Sequence, residues 1–383
     1  MRYSDCMDRL GDIIRDEIRA TGPMRFDRFM ELALYHPELG YYARPGERNQ
    51  IGRSGDFFTS VSVGPLFGRL LARQFLQMWE ILGKPDPFWI IEQGAHDGRL
   101  ACDILSWCRS EASPFFAVIR YAFIESSHAA HAAQRKSVGK ASVTSRIEWF
   151  EKMPLPEKPR TGVFLSNELV DAFPVRVMSC QSGQWREKYV TADESGAFTW
   201  TIHPLEDAEG LRAVEKLPLL EGYTTELNLH APRWMSETAT LLDQGYFLTI
   251  DYGFPASVYY APFRTEGTLT AYQKHQRTRE ILEEPGQRDI TAHVDFTALA
   301  RAGEKAGLQT LGFIDQQRFL MGIARNEFSS TVGPRVGIRE NQRAWNMLTH
   351  PEFLGSRFQV LLQAKNAPAN LDGLQFARPG GLE

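Results

Sequence analysis

The chain has 383 residues, of which 43% are hydrophobic and 23% charged, so it is long and apolar enough to bury a large core. Its formal net charge of -4 argues against sequence-independent binding to nucleic acid, which requires a basic surface. No apolar run reaches the roughly eighteen residues that span a bilayer, the N-terminus is acidic, and the four cysteines form no C-x-x-C pair, so we expect a cytoplasmic protein with reduced thiols and no metal site.

The first third of the chain is predicted to be helical. Apolar residues recur at helical spacing between residues 8 and 34, divided by the breaker Thr21-Gly22-Pro23. A loop rich in glycine and aromatic residues follows from 36 to 59, and Val63 to Leu82 predicts a longer helix. These segments together predict an N-terminal helical cap over residues 1–84.

From residue 85 to 383, short apolar runs alternate with helical stretches, a pattern typical of a parallel sheet with crossover helices. The predicted strands are Phe88–Glu92, Tyr121–Glu125, Ile147–Phe150, Val163–Ser166, Phe247–Asp251, Leu308–Ile314 and Phe358–Ala364. A stretch of alternation and turns at about 175–230 predicts an inserted antiparallel meander. The sequence thus predicts an α/β, Rossmann-like sheet that is mostly parallel, with seven strands and an antiparallel last strand, as in class I methyltransferases.

A glycine turn follows the first predicted strand. Glu92 ends that strand, Gly94 and Gly98 lie in the turn, and apolar residues at helical spacing come after it. Glycine lets the backbone approach a ligand that a Cβ would obstruct, and ligands of such sheets lie at the carboxyl ends of the strands. We therefore predict that Glu92, Gly94, His96 and Gly98 bind a cofactor, although two glycines alone could form a simple turn.

The spacing of this turn and a second acid favour one cofactor. Dinucleotide sites usually have G-x-G-x-x-G, and this turn lacks the middle glycine. Glu125 ends the next strand about thirty residues later, where a carboxylate can bind ribose hydroxyls in both NAD and S-adenosylmethionine sites. Glu92 can balance the cationic methionine end of the latter. The sequence therefore predicts S-adenosylmethionine at Glu92, the turn and Glu125.

Polar side chains follow the fourth predicted strand, in the segment Asn167-Glu168-Leu169-Val170-Asp171. Carboxylates at this position suit a guanidinium acceptor, which is planar, permanently charged and must lose a proton on methylation. We predict that Asn167, Glu168 and Asp171 are catalytic, with Glu168 orienting the acceptor. The same residues could instead begin an N-capped helix.

Three further segments could border the pocket. From Gly55-Asp56-Phe57-Phe58-Thr59-Ser60 we predict Gly55, Asp56 and Ser60 at the cofactor. Asp251 and Tyr252 end the fifth predicted strand, and His293 precedes a predicted helix, so we predict that these three bind substrate. Each segment could also be a polar turn, a strand end or a structural hydrogen-bonding site.

Six ordered motifs together resemble the MidA-type family, which includes a mitochondrial complex I assembly factor that acts as a protein arginine methyltransferase. They are Tyr35-His36-Pro37-Glu38-Leu39-Gly40-Tyr41-Tyr42, the Gly55 to Ser60 segment, the Glu92 to Gly98 turn, Asn167 to Pro174, Asp251-Tyr252-Gly253 and Asp289 to Phe296. The resemblance implies a class I methyltransferase fold, S-adenosylmethionine as donor, and symmetric dimethylation of an arginine on a 49-kDa-type subunit of NADH dehydrogenase.

Other functions are left open at this point. The family more usually has glycine where this chain has His96, which motivates a non-catalytic assembly chaperone as the alternative. A nicotinamide-dependent oxidoreductase would share Glu125, and a small-molecule acceptor could replace the protein. The expected partner is a protein client with an exposed arginine, without nucleic acid or membrane insertion; a homodimer is one option for the assembly.

Overall fold

The computed structural model describes residues 9–43, 59–139, 146–154, 159–273, 276–329, 335–378 and 381–382. The helices of this part of the chain are α1 Arg9–Thr21, α2 Phe26–Tyr35, α3 Leu66–Ile81, α4 Arg99–Glu111, α5 Ser113–Val118, α6 His128–Gly139, α7 Ala208–Val214, α8 His230–Thr238, α9 Ala256–Tyr259, α10 Phe296–Lys305, α11 Gln316–Ser329 and α12 Gln342–Thr349. The strands are β1 Met24–Arg25, β2 Phe88–Gln93, β3 Ile119–Ile124, β4 Ile147–Phe150, β5 Thr161–Asn167, β6 Arg176–Gln181, β7 Gln184–Ala192, β8 Phe198–Pro204, β9 Thr224–Leu227, β10 Gln244–Phe254, β11 Thr270–Gln273, β12 Gln276–Thr278, β13 Asp289–Thr291, β14 Val294–Asp295, β15 Gln309–Asp315 and β16 Phe358–Lys365. No helix of the described ranges is long and apolar enough to cross a membrane.

A central sheet organises the molecule, with strand order β4-β3-β2-β5-β10-β16-β15 and the short β14 paired to β10. The neighbours from β4 to β10 run parallel, and β16 runs antiparallel to both β10 and β15. This arrangement confirms the predicted α/β sheet with its antiparallel last strand. The central strands β5 and β10 are buried along nearly their whole length, which explains their continuous apolar runs.

Helix α3 packs against the central sheet. Its buried residues, among them Leu70 and Phe75, belong to the same apolar core as Ile90 of β2 and Ile104 of α4. The helix therefore contributes to the core of the sheet region, although it precedes the predicted domain boundary at residue 84. That boundary stays a prediction.

The inserted region forms a second sheet, of order β1-β7-β6-β9 with β8 paired to β7. It includes a helix, α7, within the stretch that the sequence predicted as a meander. Met24 and Arg25, between the first two helices, pair with Val190 and Tyr189 of β7. The N-terminal helices are thereby attached to the inserted sheet, with which they share an apolar core.

A third, three-stranded sheet of order β12-β11-β13 lies between β10 and α10, in a segment where the sequence predicted no strand. Its strand β13 leads through Thr291 into His293 and the start of α10. This small sheet therefore brings a separate stretch of chain to the carboxyl end of β10, where the functional site lies.

Candidate active site

A cavity of about 1340 Å³ lies at the carboxyl ends of β2, β3, β5 and β10. It is larger than the roughly 300–1,000 Å³ typical of a site for one small ligand. Residues from the N-terminal helices, the glycine turn, α8 and the third sheet also line it. The cavity therefore has room for a cofactor and for the side chain of a second substrate.

The glycine turn forms one wall of the cavity. Gly94 and Gly98 have φ of 77° and 75°, the left-handed region that glycine adopts without strain. A Cβ on Gly94 would lie 2.9 Å from Cδ1 of Leu169, so a side chain at this position would displace that leucine in addition to straining the backbone. His96, at φ 47°, also adopts this conformation and lines the cavity. The turn is thus compatible with histidine at this position, at a backbone cost of about 1–2 kcal/mol.

Gln134 of α6 holds the turn from outside the cavity. Its fully buried amide donates from Nε2 to the carbonyl oxygen of His96 at 3.1 Å. The Nε1 of Trp149 in β4 donates in turn to Oε1 of Gln134 at 3.2 Å. Sequence reasoning missed Gln134, because a glutamine in a helix carries no signal of the distant turn that it contacts.

Two carboxylates stand at the ends of β2 and β3. Glu92 is 3% exposed, accepts a hydrogen bond from the hydroxyl of Tyr121 at 2.6 Å, and has its pKa raised to about 7 by burial. Glu125 accepts from the amide of Ser127 at 3.0 Å, and burial raises its pKa as well. Both line the cavity, so they can meet the polar groups of one elongated ligand.

The loop after β5 forms the opposite wall. Glu168 has φ of 53°, a strained conformation for a residue with a side chain, and its amide donates to the carbonyl of Ile250 in β10 at 2.9 Å. Asn167 donates from Nδ2 to Oε1 of Glu168 at 3.1 Å. The pKa of Glu168 is raised to about 8, chiefly by burial and then by the negative charge of Asp251. This loop therefore presents an acid that is largely protonated near neutral pH.

Asp251 supports this loop from behind. Its side chain is fully buried, and Oδ2 accepts from the amides of Leu169, Val170 and Asp171 at 3.1, 2.8 and 3.3 Å. Burial raises its pKa to about 7, against the effect of these amides. Asp251 is not among the residues that line the cavity, so its position is that of a support for the loop, whereas its neighbour Tyr252 lines the cavity.

Asp171 and Asp289 approach the cavity from two separate segments. Asp171 is 9% and Asp289 6% exposed, and both line the cavity. The hydroxyl of Tyr42 donates to Oδ1 of Asp289 at 2.8 Å, and the hydroxyl of Tyr35 donates to the carbonyl of Ala172 at 2.9 Å. The pKa of Asp171 is raised by burial and then by Asp251, Asp289 and Glu168.

His293 closes the side of the cavity next to β10. Its ring lies 5.0 Å from that of Phe254 and 6.4 Å from that of Tyr252, measured between centroids. Burial lowers its pKa to about 4, so the imidazole is neutral at physiological pH. Nδ1 is buried without a hydrogen-bonding partner among the described residues, which leaves it available to a ligand in the cavity.

The structure brings most of the predicted site residues to this one cavity. Those that line it are Glu92, Gly94, His96, Glu125, Asn167, Glu168, Asp171, Tyr252 and His293. Gly98 shapes the turn without lining the cavity. Ser60 does not line the cavity either, and its hydroxyl donates to Oε1 of Gln316 at 2.8 Å. The predictions for Gly55 and Asp56 lie outside the described residues. Tyr35, Tyr42 and Asp289 were not assigned from sequence, although all three occur in the motifs that carry the family resemblance.

Residues 70–314 match a family described as "Putative S-adenosyl-L-methionine-dependent methyltransferase". The chain belongs to this methyltransferase family. A Burkholderia thailandensis protein, inferred to be a methyl transferase and crystallised with S-adenosyl-homocysteine, is 30% identical, covers 99% of this chain and 98% of its own, and superposes with a TM-score of 0.88. Protein arginine methyltransferase NDUFAF7 from Homo sapiens is 26% identical over 89% of this chain and 80% of its own, and the Drosophila melanogaster homolog is 28% identical over 91% and 83%.

The methyltransferase uses S-adenosylmethionine, and the residues present fit that cofactor. Gly94, Glu92 and Glu125 all line the cavity. Glu92 is the carboxylate that would face the cationic end of S-adenosylmethionine, and Glu125 the one that would face its ribose hydroxyls. Membership of this family decides against the nicotinamide-dependent alternative.

The predicted cytoplasmic location was wrong. The relatives from Drosophila melanogaster, Danio rerio and Homo sapiens, which align with about nine-tenths of the chain, are named as mitochondrial proteins. Composition could not have decided this, because reduced cysteines and a mildly acidic charge suit both compartments.

Proposed function

We propose that this methyltransferase transfers a methyl group to a guanidinium nitrogen of an arginine in another protein. The observation that carries the proposal is the set of acidic side chains on the acceptor wall, where Glu168, Asp171 and Asp289 line one cavity from two separate segments. Three carboxylates at close quarters repel one another unless a cation or protons compensate them. A guanidinium is the cation whose planar donors suit carboxylates best. The relatives named as protein arginine methyltransferases support the same acceptor.

Binding of the guanidinium changes the ionisation of these acids. Burial and mutual repulsion favour the protonated forms of Glu168 and Asp171 in the ligand-free protein. A bound guanidinium favours the carboxylate forms, so arginine binding is coupled to the release of protons. The strained backbone of Glu168 and the support from Asp251 fix the direction of the acids before the acceptor arrives.

The residues of the chain also handle the proton of the reaction. When bound, S-adenosylmethionine supplies an electrophilic methyl group. The methyl replaces an N–H proton of the acceptor, so the guanidinium product keeps its positive charge and one proton must leave. Glu168, in the carboxylate form that the bound guanidinium favours, would accept that proton, while Asp171 would hold another nitrogen of the same group.

The family resemblance suggests a finer acceptor. We propose symmetric dimethylation, with a client that resembles the 49-kDa-type subunit of NADH dehydrogenase. The support is the resemblance of the six motifs, together with relatives named NDUFAF7. A purified subunit of that type is the acceptor to test first, with mass spectrometry to count and place the methyl groups.

A methylation assay tests the arginine acceptor itself. The protein is incubated with S-adenosylmethionine and paired synthetic peptides that differ only by arginine or lysine at the centre, and modified residues are assigned by mass spectrometry. We expect methylarginine and no methyllysine. A Glu125→Ala variant should bind S-adenosylhomocysteine more weakly in calorimetric titration, whereas Glu148→Gln, an exposed acid on β4, should bind it normally. Methylation of lysine, or of small molecules only, would contradict the proposal.

A further inference from the structure

We propose that three arginines, Arg264, Arg277 and Arg357, form a basic rim on the acceptor side of the cavity and select a client whose target arginine lies close to acidic residues. This inference rests on the proposed protein-arginine acceptor and adds the chemistry that surrounds it. The rim stands beside a cavity whose acceptor wall is acidic, so the site as a whole offers opposite charges to two neighbouring parts of one ligand.

Arg357 lines the cavity directly. It is exposed and precedes Phe358, whose ring lies 4.2 Å from that of Tyr252 between centroids. It therefore stands at the start of β16, next to the end of β10. Four inter-strand steps of about 4.8 Å separate β16 from β3, where Glu125 lies, so the rim is roughly 19 Å from that end of the cofactor site.

Arg264 lies near the same part of the cavity, where its guanidinium contacts an aromatic ring that in turn contacts His293. Its guanidinium lies 4.3 Å from the centre of the Phe254 ring, and that ring is 5.0 Å from His293. Because His293 lines the cavity, the charge of Arg264 lies close to the part of the cavity wall that His293 forms. The lowered pKa of His293, to which Arg264 and Arg277 both contribute, is consistent with two cations near the imidazole.

Arg277 is placed by the third sheet. Its Cα pairs with that of Tyr272 across β11 and β12, and directly opposed residues in an antiparallel pair extend from the same face. Tyr272 lines the cavity, so Arg277 lies on the cavity side of this sheet. Its Nε and Nη2 donate to Oγ1 of Thr270 at 3.3 and 3.2 Å, contacts that orient the guanidinium without neutralising it.

None of the three has a carboxylate partner within 4.0 Å in the part of the chain that the structure describes. The neighbouring Arg279, by contrast, is paired with Glu266. A ligand that binds both the acids of the cavity and the arginines of the rim must have a cationic group with an anionic group close to it. A protein segment with arginine and an Asp or Glu within a few residues has this pattern. Free arginine also has a carboxylate, but at a distance from the guanidinium that its own side chain limits.

Peptide selectivity tests the inference. Acetylated and amidated peptides with one central arginine carry either two Asp or two Lys at the flanking positions, and methyl transfer and anisotropy binding in the presence of S-adenosylhomocysteine are measured. We expect kcat/KM to favour the Asp peptides by about tenfold at low salt and less at high salt, since exposed charges are screened. Reversing the charge with Arg357→Glu or Arg277→Glu should abolish or invert this preference.

Arg279→Glu is the matched control, because Arg279 follows the same strand but is already paired with Glu266. It should keep the preference, and all variants should bind S-adenosylhomocysteine equally. An equal rate for both peptide sets would overturn the basic rim while leaving arginine methylation intact. Absence of methylation and binding with every arginine peptide would overturn the acceptor proposal and this one together. A third set of the same peptides with a free C-terminal carboxylate is measured alongside. A preference that appears only in this set would overturn selection of acidic side chains and assign the rim to a chain terminus.

Discussion

Glu168 combines a strained backbone with an unfavourable charge. Its φ of 53° costs about 1–3 kcal/mol for a residue other than glycine, and its pKa of about 8 shows that the carboxylate form is disfavoured. Neither feature assists folding. Both place an acid toward the cavity, in contact with Asn167, so they are explained best by a cationic acceptor.

The pH dependence of catalysis should report Glu168. Below pH 8 the side chain is largely neutral, and above it the carboxylate is available to bind a cation and to accept a proton. We therefore expect kcat/KM for an arginine peptide to rise with pH through about 8. Glu168→Gln should lower kcat by about a hundredfold or more and remove this rise, whereas Glu148→Gln should leave the profile unchanged. A rise retained in Glu168→Gln would assign the titration to another group.

At the scale of single elements, the loop from Asn167 to Ala172 depends on β10. The carboxylate of Asp251 accepts hydrogen bonds from three successive amides of this loop, and the carbonyl of Ile250 accepts one from the amide of Glu168. The position of the acceptor wall is therefore set by a neighbouring strand and not by the loop's own sequence.

Replacing Asp251 by alanine should affect stability and activity together. Four amides would lose their acceptor, the three of the loop and that of Tyr252, at a net cost of about 1 kcal/mol each. We therefore expect the free energy of unfolding to fall by about 4 kcal/mol and kcat to fall with it. Asp251→Asn should be milder because its amide oxygen can still accept. Asp193, which accepts amides in an exposed hairpin turn, provides the control: Asp193→Ala should not change kcat. Urea unfolding and peptide kinetics measure both effects.

The inserted sheet is held by a buried ion pair. Arg176 is 2% exposed, donates from Nε to Glu187 at 2.8 Å and also contacts Asp207, while Glu187 is 1% exposed. Such a pair orders the sheet only while it is complete, because each ion left alone would remain buried and uncompensated.

Arg176→Met should therefore destabilise the protein by about 3–5 kcal/mol, even though methionine is of similar length. The double variant Arg176→Met with Glu187→Leu should recover much of that loss, since no buried charge remains. Arg19→Met breaks an exposed pair with Asp16 and should change the free energy of unfolding by less than about 1 kcal/mol. An equal decrease in the free energy of unfolding for Arg176→Met and Arg19→Met would show that burial of Arg176 is unimportant.

At the scale of the whole molecule, the acids of the cavity make stability depend on pH. The pKa values of Glu92, Glu168 and Asp251 are raised to about 7, 8 and 7, above those of the unfolded chain. A group of this kind contributes its full stability below its unfolded pKa, and the contribution is lost as pH rises through the folded value. The site therefore weakens the ligand-free fold at the pH where it works.

We expect the Tm of the ligand-free protein to fall as pH rises from about 5 to 8. Glu168→Gln should reduce the slope of this fall, because the amide does not ionise, while Glu148→Gln should not. Thermal unfolding followed by circular dichroism over this range measures the effect. A Tm that rises steadily over the same interval would show that these acids are ionised in the folded protein without cost.

Much of the architecture could be predicted from sequence. Period and breakers located the strands of the central sheet to within a few residues, since a buried parallel strand requires a continuous apolar run. The short strands β1, β11, β12 and β13 could not be predicted, because two to four residues hold too little pattern. The cavity-lining role of Asp289 and Tyr42 was missed for a different reason: their partners are distant in sequence.

The sequence by itself determined the α/β fold, the glycine turn and the presence of acids at the ends of successive strands, because these follow from local periodicity and from the geometry common to parallel sheets. Only the tertiary structure decided which acids face the cavity. Asp251 and Tyr252 are adjacent in the chain, yet one supports the loop and the other lines the cavity, because successive side chains of a strand extend to opposite sides. The same applies to the basic rim, whose arginines come from three separate segments that only long-range packing brings together.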